Sequence, residues 1–242
     1  MADGYRNLSI GEIRGLEAAG CSSSSWGSVL VKEPFNAERI QNVTFSGTVK
    51  LGLFKGIARE RCGLPLPHGI KNAHIHNCTI EDNVTITDIT GFIANYDIGE
   101  GVVIRNCGHI STEGRTSFGN GTRVAVLNET GGREVPIWDR LTSHMAYIIT
   151  LYRHRPAVIE VIENLIDKYA ESVKSDRGVI GSGSYIAGCG TIKNVRIGNG
   201  AVIEDVSRLA EGSVNSSFKD PVYIGNDVIM DHFIICSGII DL

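Results

Sequence analysis

Large apolar residues recur at every sixth position through the middle of this chain. The period is longer than a helical turn and longer than the two-residue alternation of a half-buried strand. A fixed repeat of this kind indicates a structural unit that is stacked on itself. The pattern resumes after the middle of the chain, with one slip of a single residue, and returns briefly near the end. The repeated positions are Ile80, Ile86, Phe92, Ile98, Ile104 and Ile110, then Ile180, Ile186, Ile192, Ile197, Ile203 and Leu209, and finally Ile224 and Met230.

Glycine, asparagine or aspartate follows many of these apolar positions, as in IGEG at 98–101 and IGNG at 197–200. Such residues end short strands in tight turns. Three short strands make one coil of about eighteen residues, and neighbouring coils stack at roughly 4.8 Å. The sequence therefore predicts a mainly β fold, an elongated parallel β-helix whose apolar positions point inward. The pattern is similar to that of the hexapeptide-repeat superfamily, and the left-handed winding that we expect comes from this resemblance alone.

Two segments depart from the repeat and predict helices. Near the N-terminus, Ser9 and Glu12 match a capping box and Gly20 suits the end of a helix that caps the first coil. Between Gly131 and Gly178 the spacing predicts two helices, with Pro136 in the first turn of one and Pro156 starting the next. The predicted organisation is an N-terminal cap at 1–42, a first β-helix part at 43–130, a helical insertion at 131–178 and a second β-helix part at 179–242. Because the repeat runs to the end without a polar cap, we expect either a longer protein or an oligomer that covers this end.

Composition excludes several classes of partner. The 242 residues carry a net charge of −4, from 23 basic and 27 acidic side chains, which does not suit a nucleic-acid groove or a polybasic membrane patch. No apolar run approaches the roughly 20 residues that span a membrane. The first residues are not a secretory signal, and the six cysteines form no C-x-x-C pair, so we expect reduced, buried thiols. We predict a cytoplasmic protein with neither a nucleic-acid nor a membrane partner.

Two histidines are candidate catalytic bases. Hexapeptide-repeat enzymes are commonly acyltransferases in which a histidine takes a proton from the acceptor. His109 precedes the inward Ile110 and is therefore expected to face outward. His232 lies beside Asp231, although adjacent strand residues point to opposite faces, which leaves their contact open.

A metal site is the weaker interpretation of the histidines. His74 and His76 lie two coils before His109, roughly 10 Å along the axis, so three imidazoles share one face, as in the β-helix carbonic anhydrases. The early repeat is irregular, however, and no carboxylate is placed to orient the imidazoles. We predict no metal site, and the sequence identifies no cofactor. Asp97 and Arg115 are eighteen residues apart, which is the length of one coil. They are therefore expected to lie side by side on neighbouring coils and to form an ion pair.

A glycine-rich segment at 118–123, FGNGTR, looks like the phosphate-binding loop of sugar nucleotidyltransferases. There the loop follows the first strand of a doubly wound α/β domain, and its backbone amides cradle a nucleotide phosphate. No alternating strand-helix pattern surrounds the segment here. We therefore predict a glycine-rich corner of the β-helix.

A set of segments along the whole chain resembles one uncharacterised bacterial family of longer β-helix proteins. They are SIGEI at 9–13, Gly20-Cys21, Trp26, VTFSG at 43–47, GGREVP at 131–136, YRHRP at 152–156 and NVRIG at 194–198. Members are sometimes labelled as related to UDP-N-acetylglucosamine pyrophosphorylase. The family brings no established catalytic residues to carry over.

Two functions remain as hypotheses. The first is a sugar- or sugar-nucleotide-linked transferase, with acyl transfer ahead of nucleotidyl transfer. His109 or His232 would be its base, and an outward groove beside the helical insertion would hold a sugar or nucleotide-sugar. Related β-helices are often trimers with sites between chains, so a homotrimer would favour this hypothesis. The alternative is a non-catalytic scaffold or regulatory binding module whose inserted helices recruit a partner. A histidine lodged in a cleft favours the enzyme, and isolated exposed histidines favour the scaffold.

Overall fold

A computed structural model of the protein describes residues 4–59, 63–125 and 130–236. Within these ranges the fold is mainly β, as the repeat predicts, with three α-helices. The helices are α1 Ile10–Ala18, α2 Ser143–Leu151 and α3 Pro156–Ser172. The strands are β1 Tyr5–Asn7, β2 Ser22–Ser23, β3 Val29–Lys32, β4 Ile40–Ser46, β5 Val49–Leu51, β6 Ile57–Arg59, β7 Pro65–Pro67, β8 Gly69–His76, β9 Thr79–Ile80, β10 Thr85–Thr87, β11 Ile93–Ala94, β12 Tyr96–Ile98, β13 Val103–Arg105, β14 His109–Ser111, β15 Arg123–Val124, β16 Val135–Pro136, β17 Gly178–Ile180, β18 Tyr185–Ala187, β19 Thr191–Ile197, β20 Val202–Glu204, β21 Arg208–Asn215, β22 Tyr223–Gly225 and β23 Ile229–Cys236.

Nineteen of the strands in the described ranges belong to one large mixed sheet. In this sheet β1 runs antiparallel to β3. Strands such as β10 and β18 instead pair in parallel with strands that follow 17 or 18 residues later in the sequence. Ile86 pairs with Ile104, which is three six-residue repeats later, and Ile186 pairs with Ile203, which is one position short of the same step. The chain thus passes along three sides, one for each repeat, and then returns to the first side. We call each such return a coil.

Three columns of in-register apolar residues fill the space that the coils enclose, and nearly all of them are fully buried. We number the sides by these columns. The first is Ile40, Ile70, Ile86, Ile104, Ile186, Ile203 and Ile224. The second is Phe45, Ile75, Ile93, Ile110, Ile192, Leu209 and Met230. The third is Val31, Leu51, Ile80, Ile98, Ile180, Ile197, Val214 and Ile235.

One predicted inward position is wrong. Phe92 is 38% exposed, and its neighbour Ile93 is fully buried between Ile75 and Ile110 of the second column. The turn after Ile86 takes seven residues and the next step to Ile98 takes only five, so the total still equals two regular repeats. The corner around Asp88, at φ +57°, accommodates the extra residue.

The corners between sides are built by residues in the left-handed backbone region. Among the described non-glycine residues at positive φ, asparagine and aspartate predominate, because their short side chains tolerate this conformation and bond locally. The corner amides also bond from coil to coil. Asn42 donates to Asn72 at 2.9 Å, and Asn72 donates to Asp88 at 2.7 Å.

The N-terminal helix forms as predicted. The Ser9 hydroxyl accepts from the amide of Glu12, whose carboxylate accepts in return from the Ser9 amide at 2.7 Å. Leu16 is fully buried against the main core, and Gly20, at φ +80°, follows the end of α1.

The helical insertion leaves the coils after β14 and returns at β17, where Gly178 pairs with Tyr96. It has a core of its own, formed by Val135, Trp138, Ile149 and Ile166. No helix within the described ranges is long and apolar enough to cross a membrane.

The two inserted helices lie within the predicted segment, but the first begins later than predicted. The start of α3 at Pro156 is confirmed, whereas α2 begins at Ser143 and not at Pro136. The Thr142 hydroxyl caps α2 by accepting from the Met145 amide at 3.2 Å. Pro136 is instead part of β16, which pairs with β15 and holds the backbone extended.

Candidate functional site

Three of the described non-glycine residues at positive φ are neither asparagine nor aspartate, and they lie where the insertion meets the coils. Phe118, Glu211 and His232 all have φ near +50°. Glu211 and His232 follow each other on the same corner of successive coils. The Phe118 carbonyl accepts from the Ser213 hydroxyl at 2.7 Å, which brings the insertion onto β21. Non-glycine residues in this strained region concentrate where tertiary contacts or function hold them.

Glu211 fastens the first residues of the insertion. Its carboxylate accepts from the Thr116 hydroxyl at 2.9 Å and from the side-chain amide of Asn194 at 2.5 Å. Asn194 in turn accepts from the Glu113 amide at 2.7 Å. No signal in the sequence indicated this role, because the three contributing segments lie far apart in the chain.

His232 and Asp231 are in contact, which the sequence left open. The positive φ of His232 turns its imidazole back along the chain, and Nδ1 meets an oxygen of the Asp231 carboxylate. The other oxygen accepts from Arg208 at 3.1 Å. An acceptor at Nδ1 leaves Nε2 as the basic nitrogen, which is the arrangement of an oriented general base. The imidazole is 57% exposed and lies at a corner, not in a cleft.

His109 is exposed on the outer surface of the second side. Its imidazole packs against the Phe92 ring, with 4.9 Å between ring centroids. His74 lies one coil before Phe92, so the phenyl ring separates His74 from His109, and Nδ1 of His76 bonds to the Ser46 hydroxyl at 2.8 Å. Among the described residues, no three histidine, cysteine, aspartate or glutamate side chains are arranged to hold a metal ion.

The predicted ion pair between Asp97 and Arg115 is wrong. The insertion displaces Arg115 from the coil position that it would occupy in an unbroken repeat, and residue 179 follows Asp97 in the register. Asp97 instead receives two hydrogen bonds from the guanidinium of Arg177, one of them from Nε at 3.1 Å. The same guanidinium donates to the Asn77 carbonyl at 3.0 Å.

The prediction that the glycine-rich segment at 118–123 forms a corner of the coils is wrong. The segment belongs to the start of the insertion. A Cβ on Gly119 would lie 2.7 Å from the Phe233 carbonyl, so only glycine fits this contact with the last described coil. The amides that would cradle a phosphate are already bonded, since those of Asn120 and Gly121 donate to the carbonyls of Ser117 and Ile137. These two amides are therefore not free to bind a nucleotide phosphate.

A groove runs along the outer surface of the third side, next to the insertion. It consists of two cavities that share Val179, Gly181 and Asn199. One, of about 260 Å³, contains Asp97, and the other, of about 340 Å³, contains Arg196. We call this feature the third-side groove, and neither His109 nor His232 lines it.

Glycine forms the floor of the third-side groove on three successive coils. Gly99 and Gly181 line one cavity, and Gly181 and Gly198 line the other. The sequence contained this signal, because each of the anchors Ile98, Ile180 and Ile197 is followed by glycine. The alignment of these three glycines could not be predicted from the sequence, because the insertion separates the coil of Gly99 from the coils of Gly181 and Gly198.

A hydrogen-bonded cluster joins the insertion to the groove. Asp139 accepts from the Tyr169 hydroxyl at 2.8 Å and from the Asn215 amide at 2.9 Å. Burial and the bond to Asp139 raise the pKa of Tyr169, so its hydroxyl stays protonated. Arg196 has no ion-pair partner within the described ranges, and its positive charge acts on Tyr169.

Two further cavities lie on the insertion itself. The larger, of about 470 Å³, is lined by Arg153, Glu163 and Asp167, and Arg153 donates to the Glu134 carbonyl at 2.8 Å. The other, of about 390 Å³, adjoins the glycine-rich segment at Gly121. Each contains an ion pair between lining residues, Arg153 with Glu163 at 3.5 Å in the first and Lys174 with Glu171 at 2.6 Å in the second.

Comparison with known proteins gives a family without an assigned activity. The chain is 27% identical over 245 residues to an uncharacterised protein of Treponema pallidum (strain Nichols). The alignment covers 97% of this chain and 34% of the relative, so the chain spans about a third of that protein's length. No solved structure matches the chain significantly. Neither match carries the pyrophosphorylase label, which stays a prediction. The family model for a domain of unknown function, DUF4954, matches residues 5–240, and the chain belongs to this family.

Proposed function

We propose that this chain is a non-catalytic scaffold module that associates with a second copy of itself through its helical insertion. The observation that carries the proposal is the concentration of exposed apolar side chains on α2, α3 and the turn between them. Soluble proteins rarely leave large apolar patches in water unless a partner covers them. The exposed side chains are Tyr147, Leu151, Tyr152, Val158, Val161 and Leu165.

Helix α3 has one wide apolar stripe. Ile159 and Ile166, on one edge of the stripe, are buried against the body of the insertion. Val158, Val161 and Leu165 form the other edge, about 130° away around the helix, and they are exposed. Among the described residues nothing covers this edge, which suits contact with a second chain.

The exposed face of α3 is complementary to itself. Val161 and Leu165 are one turn apart, so an antiparallel contact places Val161 of each copy against Leu165 of the other. The acidic residues Glu163 and Asp167 project from the far side of the helix, where they pair with Arg123 at 3.2 and 3.4 Å. The contact therefore buries apolar surface without opposing like charges across its centre.

The test is the molar mass of the protein in solution across a dilution series, by sedimentation equilibrium. We expect a concentration-dependent dimer for the wild type. Leu165→Glu, which places a charge at the centre of the contact, should weaken self-association by roughly thirtyfold. Ile10→Glu is the matched control, because Ile10 is 72% exposed on α1 and a glutamate there suits the first turn of a helix.

Three results would overturn the proposal. A single-chain mass at every concentration removes self-association, and equal weakening by both variants removes the role of α3. A mass of three chains contradicts the two-fold contact and supports the trimer that the resemblance implies.

A transferase is the second candidate, and the pairing of His232 with Asp231 favours it. In acyl transfer, Nε2 of His232 would take the proton of an acceptor hydroxyl while the oxygen attacks a thioester and the thiolate leaves. The test is thiol release from acetyl-CoA in the presence of a UDP-sugar. His232→Ala should abolish the release and His109→Ala should leave it unchanged, whereas no release by the wild type counts against the transferase.

The sense of winding is part of the proposal. We propose a left-handed β-helix of the hexapeptide-repeat type. Its support is the resemblance of the six-residue period to that superfamily, together with the return to the same side after three repeats. An experimental structure decides it directly, and a right-handed winding would contradict it.

The cysteines support a reducing, cytoplasmic location, which we also propose. All five described cysteines are free, and four of them, Cys21, Cys78, Cys107 and Cys189, are buried. Burial raises the pKa of Cys78 to about 11, which keeps this thiol protonated and unreactive. Free thiols of this kind are typical of reducing compartments. Cys62 lies outside the described residues.

A further inference from the structure

We infer that the third-side groove is a binding site for a phosphorylated sugar, with the phosphate at Arg196 and the sugar hydroxyls toward Asp97. The inference is independent of self-association through α3, because the groove lies on the coils. It is also independent of catalysis, because no candidate base lines the groove.

The groove has the size of a small-ligand site. Its two cavities, of about 260 and 340 Å³, adjoin at Val179, Gly181 and Asn199. Ligand pockets begin at roughly 300 Å³, so the two cavities together match a hexose and one or two phosphate groups. Gly99 and Gly198 line them because a Cβ at either position would lie within 2.7 Å of the backbone of the next coil.

The cavity at Arg196 supplies hydrogen-bond donors and positive charge. Among the described residues, no carboxylate lines this cavity. Arg196 has no ion-pair partner in the described part of the chain, and a guanidinium matches phosphate oxygens in charge and geometry. Asn199 accepts through Oδ1 from the Ser182 amide at 2.9 Å, which leaves its side-chain N–H groups to donate. The Ser216 hydroxyl accepts from the Val222 amide at 2.9 Å and keeps its own hydrogen as a donor.

Asp139 of the insertion reaches this end through Asn215, which donates to one carboxylate oxygen while Tyr169 donates to the other. In the described part of the chain the guanidinium of Arg196 makes no hydrogen bond or ion pair, so its N–H groups remain for a ligand.

The other cavity supplies acceptors that are fixed in place. Asp97 is held by Arg177, and Glu81 is held by Lys32 at 2.7 Å. Carboxylates fixed in this way accept hydrogen bonds from sugar hydroxyls. The groove is thus polarised along its length, with donors at one end and acceptors at the other, which is the polarity of a sugar phosphate.

The test is isothermal titration of the full chain with glucose 1-phosphate, UDP-glucose, inorganic phosphate and glucose. We expect glucose 1-phosphate to bind more tightly than either inorganic phosphate or glucose. Arg196→Gln should weaken that binding on the order of tenfold to a hundredfold. Arg155→Gln is the matched control, since Arg155 is an exposed arginine on the insertion, outside both cavities.

A second variant tests the space without changing charge. Val179→Phe places a ring where the cavities join, so it should abolish binding while the midpoint of thermal unfolding stays near that of the wild type. Binding of UDP-glucose with the same dependence on Arg196 supports the inference and extends the site to nucleotide-sugars.

Four results overturn the inference. They are no binding of either phosphorylated sugar, equal binding of glucose and glucose 1-phosphate, binding of inorganic phosphate as tight as that of the sugar phosphate, and binding that Arg196→Gln leaves unchanged.

Discussion

Arg177 closes the insertion against the coil that precedes it, and its removal should be costly. The guanidinium bonds to Asp97, to the Asn77 carbonyl and to the Thr79 hydroxyl, so one side chain spans two neighbouring coils. Hydrogen bonds to charged groups contribute about 1.5 to 3 kcal/mol each, and exposure lowers this, so Arg177→Ala should reduce the free energy of unfolding by about 2 kcal/mol.

Chemical denaturation measures the effect, with Arg177→Lys as a second variant. A lysine keeps the charge but not the forked geometry, so it should restore only part of the loss. If Arg177→Ala is no more harmful than Arg155→Ala on the exposed end of the insertion, Arg177 does not stabilise the junction.

Single-residue partners across the insertion could not be predicted from spacing. The rule of three repeats per coil paired Asp97 with Arg115, but it holds only while the coils are unbroken. The true partner lies 80 residues away, on the far side of a segment whose point of departure leaves no mark in the apolar period. His232 shows the converse, because strand alternation could not anticipate the positive φ that brings it onto Asp231.

At the scale of elements, local signals succeeded where the chain bonds to itself over a few residues. The capping box of α1 and the proline at the start of α3 are such signals. For α2 the same reasoning chose Pro136, because proline is common in a first helical turn. The extended pairing of β15 with β16 overrode that preference, and the better local signal was the capping Thr142.

The capping box of α1 should make the N-terminal helix sensitive to acid. Hydrogen bonds from Arg6 lower the pKa of Glu12 from 4.5 to about 2. A depressed carboxyl pKa contributes stability that is complete above the unfolded value near 4.5 and is lost as the pH falls through about 2. Glu12→Gln should therefore be less stable than the wild type by about 0.5 to 1 kcal/mol at pH 6.

The measurement is the difference in unfolding free energy between wild type and Glu12→Gln from pH 6 to pH 2. Because other carboxylates titrate equally in both proteins, the difference isolates Glu12, and it should shrink toward zero at the acid end. A difference that is constant with pH contradicts the lowered pKa.

At the scale of the molecule, the apolar period predicted the mainly β fold and thirteen of the 22 members of the three columns, all of them between Ile80 and Met230. It missed Ile93, because two adjacent apolar residues satisfy a six-residue spacing equally well and only the corner decides between them. The period could not locate the groove either. Its lining residues come from coils that are adjacent in space but are separated in sequence by the insertion.

The coils should fold without the insertion, because the register already continues across it. Ile93 and Ala94 pair with Ile110 and Ser111, and Tyr96 pairs with Gly178, so residue 112 is in register with Asn95. Deleting 113–177 together with Thr112→Asn therefore restores a five-residue step and extends the corner ladder of asparagines.

We expect a β-rich circular dichroism spectrum, cooperative unfolding and the loss of self-association. A protein that is unfolded or aggregated would show that the insertion is an integral part of the fold, and one that still dimerises would place the self-contact on the coils.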